Sequence, residues 1–126
     1  MIQVAVSIGE LVDKVSILAI KLDKIKDPAK LHHIEKEYDV LMKSMTGAGI
    51  ALYSEEFARL REINAKLWDI EDRIRLKEAA KIFDEEFIDL ARSVYFINDD
   101  RAAVKKTINL KYGSGLVEEK EYAAYK

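Results

Sequence analysis

The chain has 126 residues, one domain's worth, with 49% hydrophobic and 35% charged residues and a single proline. Its formal net charge of -2 lacks the basic excess of a nucleic-acid binder, and the absence of cysteine excludes disulfides, thiolate metal sites and cysteine nucleophiles. No apolar run approaches the roughly 20 residues a membrane span requires, and the N-terminus lacks the basic start and long apolar stretch of a signal peptide, so the expectation is a soluble cytoplasmic protein with neither nucleic acid nor membrane as partner.

Ile2, Val4 and Val6 alternate with Gln3 and Ala5. A lone strand has only a copy of itself to pair with, so residues 1–6 are expected to form an extended arm over an apolar surface. Ser7-Ile8-Gly9-Glu10 fits a capping box, a hydroxyl at the N-cap with a carboxylate three residues on. The helix that follows carries Ile8, Leu11, Val15, Leu18, Leu22 and Ile25 in 3-4 alternation. Val12, Ile17 and Ile20 widen that seam, which predicts burial on more than one side. Asp27 caps a second helix with Pro28 at its first position, and Thr46-Gly47-Ala48-Gly49 closes it after Leu31, Ile34, Tyr38, Leu41 and Met45.

Ser54 begins the third helix, with Glu55 and Glu56 in the first turn, where the helix dipole favours anions. Its seam is Leu60, Ile63, Leu67, Ile70 and Ile74, and it runs to about Ala80. A fresh start near Phe83, marked by Asp84, Glu85 and Glu86, opens a fourth helix that ends near Tyr112. Gly113-Ser114-Gly115 is a stop or hinge, and residues 113–126 form a tail with Tyr122 and Tyr125 among charges. The expected fold is all-α: an antiparallel helical bundle or long helical hairpins, about four helices, in one domain over 1–126 with no substantial sheet. Surplus apolar residues on the first helix point to a homodimer.

The fourth helix holds the anomaly. Its seam reads Phe83, Phe87, Leu90, Val94, Ile97, Arg101, Val104, Ile108, and one of these eight positions is a cation. A charge on a core seam costs several kcal/mol unless it is paired. Lys14 and Lys21 edge the first seam, Glu71 and Arg75 the third, Arg92, Asn98 and Lys105 the fourth. Cations projecting between helices can clamp a phosphate or dicarboxylate, arginine doing so bidentately. Asp13, Glu71, Asp72, Asp99 and Asp100 offer structural partners instead, and Glu71 to Arg75 is a favourable i,i+4 pair. The candidate set for a small anionic ligand is therefore Lys14, Glu71, Arg75, Arg92, Asn98, Arg101 and Lys105, with the pairing alternative left open.

Other patterns carry less. Glu86 and Asp89 have the E-x-x-D form that binds magnesium in all-helical nucleotide pyrophosphohydrolases, but upstream Arg75 stands where that family places an acid. His32 and His33 are adjacent, about 100° apart on a helix, and do not share a metal. No glycine-rich phosphate loop occurs either, and neither a metal nor a cofactor is expected. Trp68 and Tyr95, the aromatics nearest the charged turns, are core residues or pocket walls.

Several segments resemble one another's counterparts in a known group. They are Gly9-Glu10-Leu11-Val12-Asp13-Lys14 with Ile17 to Lys21, Leu67 to Asp72 with Ile74-Arg75, and Leu90 to Tyr95 through Asn98-Asp99-Asp100-Arg101. With Lys105, Asn109 and the ending Gly113-Ser114 plus Leu116 to Lys120, they are similar to a family of small all-helical bacterial and bacteriophage proteins of unknown function. The resemblance covers nearly the whole chain. It implies a bacterial or phage source and a link to sugar-handling gene neighbourhoods, and it brings no assigned activity. In composition and architecture the chain is also similar to the all-helical chorismate mutases, intertwined dimers that hold a dicarboxylate with arginines, a lysine and a glutamate. That likeness implies such parts for Lys14, Arg75, Arg92, Arg101 and Glu71, although no diagnostic motif aligns.

Overall fold

A computed structural model describes residues 1–116 and 118–124; Val117, Tyr125 and Lys126, part of the expected tail, lie outside the described residues. Four helices follow in order: α1 (Ile8–Lys24), α2 (Pro28–Gly47), α3 (Glu55–Ala79) and α4 (Glu85–Lys111). No strand occurs among the described residues, and no helix is long and apolar enough to cross a membrane.

The helix ends follow local chemistry. The Ser7 hydroxyl accepts from the Glu10 N–H, the Asp27 carboxylate from Ala29, the Ser54 hydroxyl from Phe57 and the Asp84 carboxylate from Phe87. Each satisfies an amide that the first helical turn leaves unpaired. Gly49, at φ 88°, takes the left-handed conformation that follows α2. The α3–α4 connection uses a non-glycine residue instead, Lys81 at φ 57°.

α1 is the hub. It touches each of the other three helices, whereas α2 touches only α1, and the most extensive contact is between α3 and α4. Three neighbours account for the width of α1's apolar surface: Val12, Val15, Leu18 and Ile20 are all buried. The surplus that pointed to a dimer is thus absorbed within the chain. The core gathers Val12 and Val15 with Met45, Ile50, Phe57, Leu60, Val104 and Ile108. Burial of a side chain such as Leu60 stabilises the fold by about 1.5–3 kcal/mol. α2 has a single helical neighbour and buries only Met45. The arm at residues 1–6 is neither helix nor strand, and its residues are exposed rather than laid on an apolar surface.

Candidate functional site

The half-buried Arg101 of α4 meets a buried partner on α1. Arg101 Nε donates to Asp13 Oδ1 at 2.9 Å, and its Nη2 donates to Oδ2 of the same carboxylate. Asp13 is 1% exposed. Asn64 on α3 donates to Asp13 Oδ1 at 2.8 Å and to Ser16 Oγ at 2.9 Å, and Ser16 in turn donates to the Asp13 carbonyl at 2.7 Å. Three helices are thereby joined by one carboxylate. Such a bidentate, hydrogen-bonded pair meets the condition under which a buried charge is tolerated. The Asp13 hydrogen bond, aided by its charge, raises Arg101 above the ordinary arginine value, so the guanidinium stays charged.

One turn along α4, Lys105 donates to Glu10 Oε2 at 2.7 Å and to Glu118 Oε2 at 3.0 Å. Its side chain is 9% exposed. Burial pulls the ammonium down, but the hydrogen bonds to Glu10 and Glu118 outweigh it and the net shift is upward. The Lys105 hydrogen bond holds the Glu118 carboxyl below its usual range.

Asn109, a further turn on, accepts from the Gly9 N–H at 2.6 Å, and Ser114 Oγ accepts from the Ile8 N–H at 3.1 Å. With Ser7 serving Glu10 and Leu11, all four leading amides of α1 are occupied from inside the chain. The approach is close enough to require glycine: a Cβ on Gly9 would lie 2.5 Å from the Lys105 carbonyl oxygen. Among the described residues, no buried side-chain nitrogen or oxygen lacks a hydrogen-bond partner.

The remaining candidates lie apart from this layer. Asn64 marks its level on α3; Glu71 and Arg75 follow by seven and eleven positions, about 10 and 16 Å along a helix rising about 1.5 Å per residue. They pair with each other at 4.0 Å on the surface. Arg92 lies nine positions, about 14 Å, from Arg101 on α4 and is exposed, as is Lys14 on α1. Asn98 is half-buried, less than a turn from Arg101. Of the candidate set, the structure places Arg101 and Lys105 in two adjacent polar clusters one turn apart on α4 and sets Glu71, Arg75 and Arg92 elsewhere. Glu86 is taken up by Arg73 at 2.9 Å and Lys77 at 3.5 Å, and no group of three acids or histidines among the described residues is placed to hold a metal. His32 and His33 are both exposed on α2.

Sequence patterns understated the partners. Asp13, Ser16 and Asn64 form the layer, while Glu10, Asn109, Ser114 and Glu118 close the end of α1. A signal existed for Asn64, which lies four positions from Leu60 and three from Leu67 on a buried stripe, where polarity is as unexpected as at Arg101. A cleft of about 180 Å³ lies between α4 and the tail, lined by Ala102, Lys105, Lys106, Asn109, Glu118 and Glu119 among others. Neither Trp68 nor Tyr95 borders it.

The match with known sequences covers this whole arrangement. A model of a family of unknown function, DUF6165, matches residues 2–125. The chain belongs to that family. Neither the curated proteins nor the solved structures hold a match to it.

Proposed function

We propose that this chain is a helical interaction module that works as a homodimer, and that its buried charges are structural. The observation that carries this is the apolar tip of the α3–α4 hairpin. α1 and α4 run antiparallel, with Gly9 at Asn109 and Asp13 at Arg101. Lys24, the last residue of α1, therefore falls level with about Leu90, and residues 76–89 project past it. Among the described residues nothing covers that end: Leu76 is 67% exposed, Phe83 56% and Ile88 52%. Clustered exposed apolar side chains of this size mark association surfaces.

A second copy fits this patch. It is rimmed by both signs of charge, Arg73 and Lys77 against Asp84 and Glu86, so two tips meet without net repulsion. A small anion at Arg101 is less favoured, because it would have to displace Asp13, a carboxylate already bidentate and buried.

Size-exclusion chromatography with light scattering tests the dimer. Wild type is expected at twice the 14.4 kDa of one chain. Ile88→Lys, at an exposed position, is expected to shift the mass to that of one chain with an unchanged circular dichroism spectrum. A wild-type protein that stays at 14.4 kDa at all concentrations sinks the proposal.

A further inference from the structure

Among the described residues, the tail adds no side chain to the core. It leaves α4 through a fixed pivot, where the Ser114 N–H donates to the Asn109 carbonyl at 2.8 Å. Beyond the pivot Leu116 and Tyr122 face solvent, 48% and 75% exposed. Residues 118 and 119 are held against α4 by charge: Glu118 on Lys105 at 3.0 Å and Glu119 on Lys106 at 3.6 Å. Two consecutive glutamates of an extended segment thus match two consecutive lysines of a helix.

We propose that the cleft beside Lys105 and Lys106 on α4 is a docking site for an extended acidic peptide of a partner protein, and that the chain's own Glu118-Glu119 segment occupies it as an internal stand-in. Three features separate this cleft from the Asp13–Arg101 layer. First, its occupant comes from a tail and not from a packed helix. The Glu119–Lys106 pair is exposed and contributes about 0–1 kcal/mol, and Glu118 itself stays nearly half exposed against Lys105, so the segment is displaceable. Second, the receiving site is built: Lys105 is nine-tenths buried and also donates to Glu10 at 2.7 Å, a partner on α1 and not on the tail. Third, Asn109 and the small side chains of Ala102 and Ala103 leave space beside the lysines. A peptide is favoured over a small anion because each lysine takes a separate carboxylate, from successive residues of an extended chain. The site is distinct from the hairpin tip and does not depend on dimerisation.

A tethered occupant competes at an effective concentration in the millimolar range, so the full-length wild type masks its own site. The probe is a fluorescein-labelled peptide of the sequence of residues 118–124, followed by fluorescence anisotropy. Full-length chain carrying Glu118→Gln and Glu119→Gln is expected to bind the probe at least about tenfold more tightly than wild type. Adding Lys106→Glu, a half-exposed position whose change leaves the fold intact, is expected to remove that gain. A probe with its first two glutamates replaced by glutamine is expected not to bind. Equal affinity for wild type and variant, no binding to either, or a gain that survives Lys106→Glu overturns the proposal. Displacement of the probe by an equal concentration of free glutarate overturns the peptide assignment in favour of a small dicarboxylate.

Discussion

α4 carries salt bridges at both of its ends, under opposite conditions. Near its C-terminal half, Arg101 meets a carboxylate that is 1% exposed, and Asn64 and Ser16 take up the rest of the local polar capacity. Near its N-terminus, Glu86 meets Arg73 at the same 2.9 Å, but both side chains are about half exposed. Exposure to solvent separates the two pairs. In water the Coulomb gain is offset by hydration of the separated ions, whereas in the interior a charge that loses its partner has nothing to replace it. The first pair therefore constrains the fold, and the second decorates an exposed surface.

The sharpest way to break this comparison is to strand one member of the buried pair. Arg101→Leu leaves the buried Asp13 carboxyl without its cation, and Asp13→Ala leaves Arg101 without its acceptor and Asn64 with Ser16 alone. Each is expected to cost about 3–5 kcal/mol in urea unfolding. The double change Asp13→Leu with Arg101→Leu is expected to recover most of that loss, because neither charge remains to be solvated. A double variant as unstable as the sum of the singles would show that the pair holds the helices through shape rather than charge.

Gly9→Ala comes next. The new methyl would lie 2.5 Å from a backbone carbonyl oxygen of α4, which cannot rotate away as a side chain does. Overpacking of this kind costs about 1–3 kcal/mol. It would also disturb the Gly9–Asn109 hydrogen bond and, one turn on, the Glu10–Lys105 pair. A shift of the urea midpoint is the measure. An unchanged midpoint would mean that α1 slides on α4 without loss, and that the polar layer does not fix their register.

The fold was legible in the sequence because its determinants are local. Ser7, Asp27, Ser54 and Asp84 each cap a helix through an amide two or three residues away, and the 3-4 seams report which faces need cover. The Thr46–Gly49 stop and the Pro28 start are likewise written within a few residues. The site was legible only as an anomaly. Arg101 on an apolar seam announces a buried charge, but its partner is 88 positions away, and periodicity gives the face of a helix without the neighbour it faces. Charge counts placed Glu71, Arg75 and Arg92 beside it for the same reason, since seam edges on different helices carry no information about level along the bundle. Once Asp13 is set opposite Arg101, the antiparallel register follows, and α1 is seen to be too short to cover the hairpin tip.

The tip supplies the control and the smallest expected effect. Arg73→Ala removes the 2.9 Å contact to Glu86 and the longer one to Asp69 at 3.9 Å, both in water-accessible surroundings. Lys77 remains 3.5 Å from Glu86, so the carboxylate keeps a cation in reach. Exposed pairs contribute about 0–1 kcal/mol, and the loss here is expected near the low end. The same substitution alters the charged rim of the proposed dimer surface. If that rim steers two tips together, Arg73→Ala weakens association in a salt-dependent manner while leaving monomer unfolding almost unchanged, and sedimentation velocity at two ionic strengths separates the effects. An unfolding loss as large as that of Asp13→Ala would contradict the division between a buried pair that secures the fold and an exposed pair that leaves the surface free.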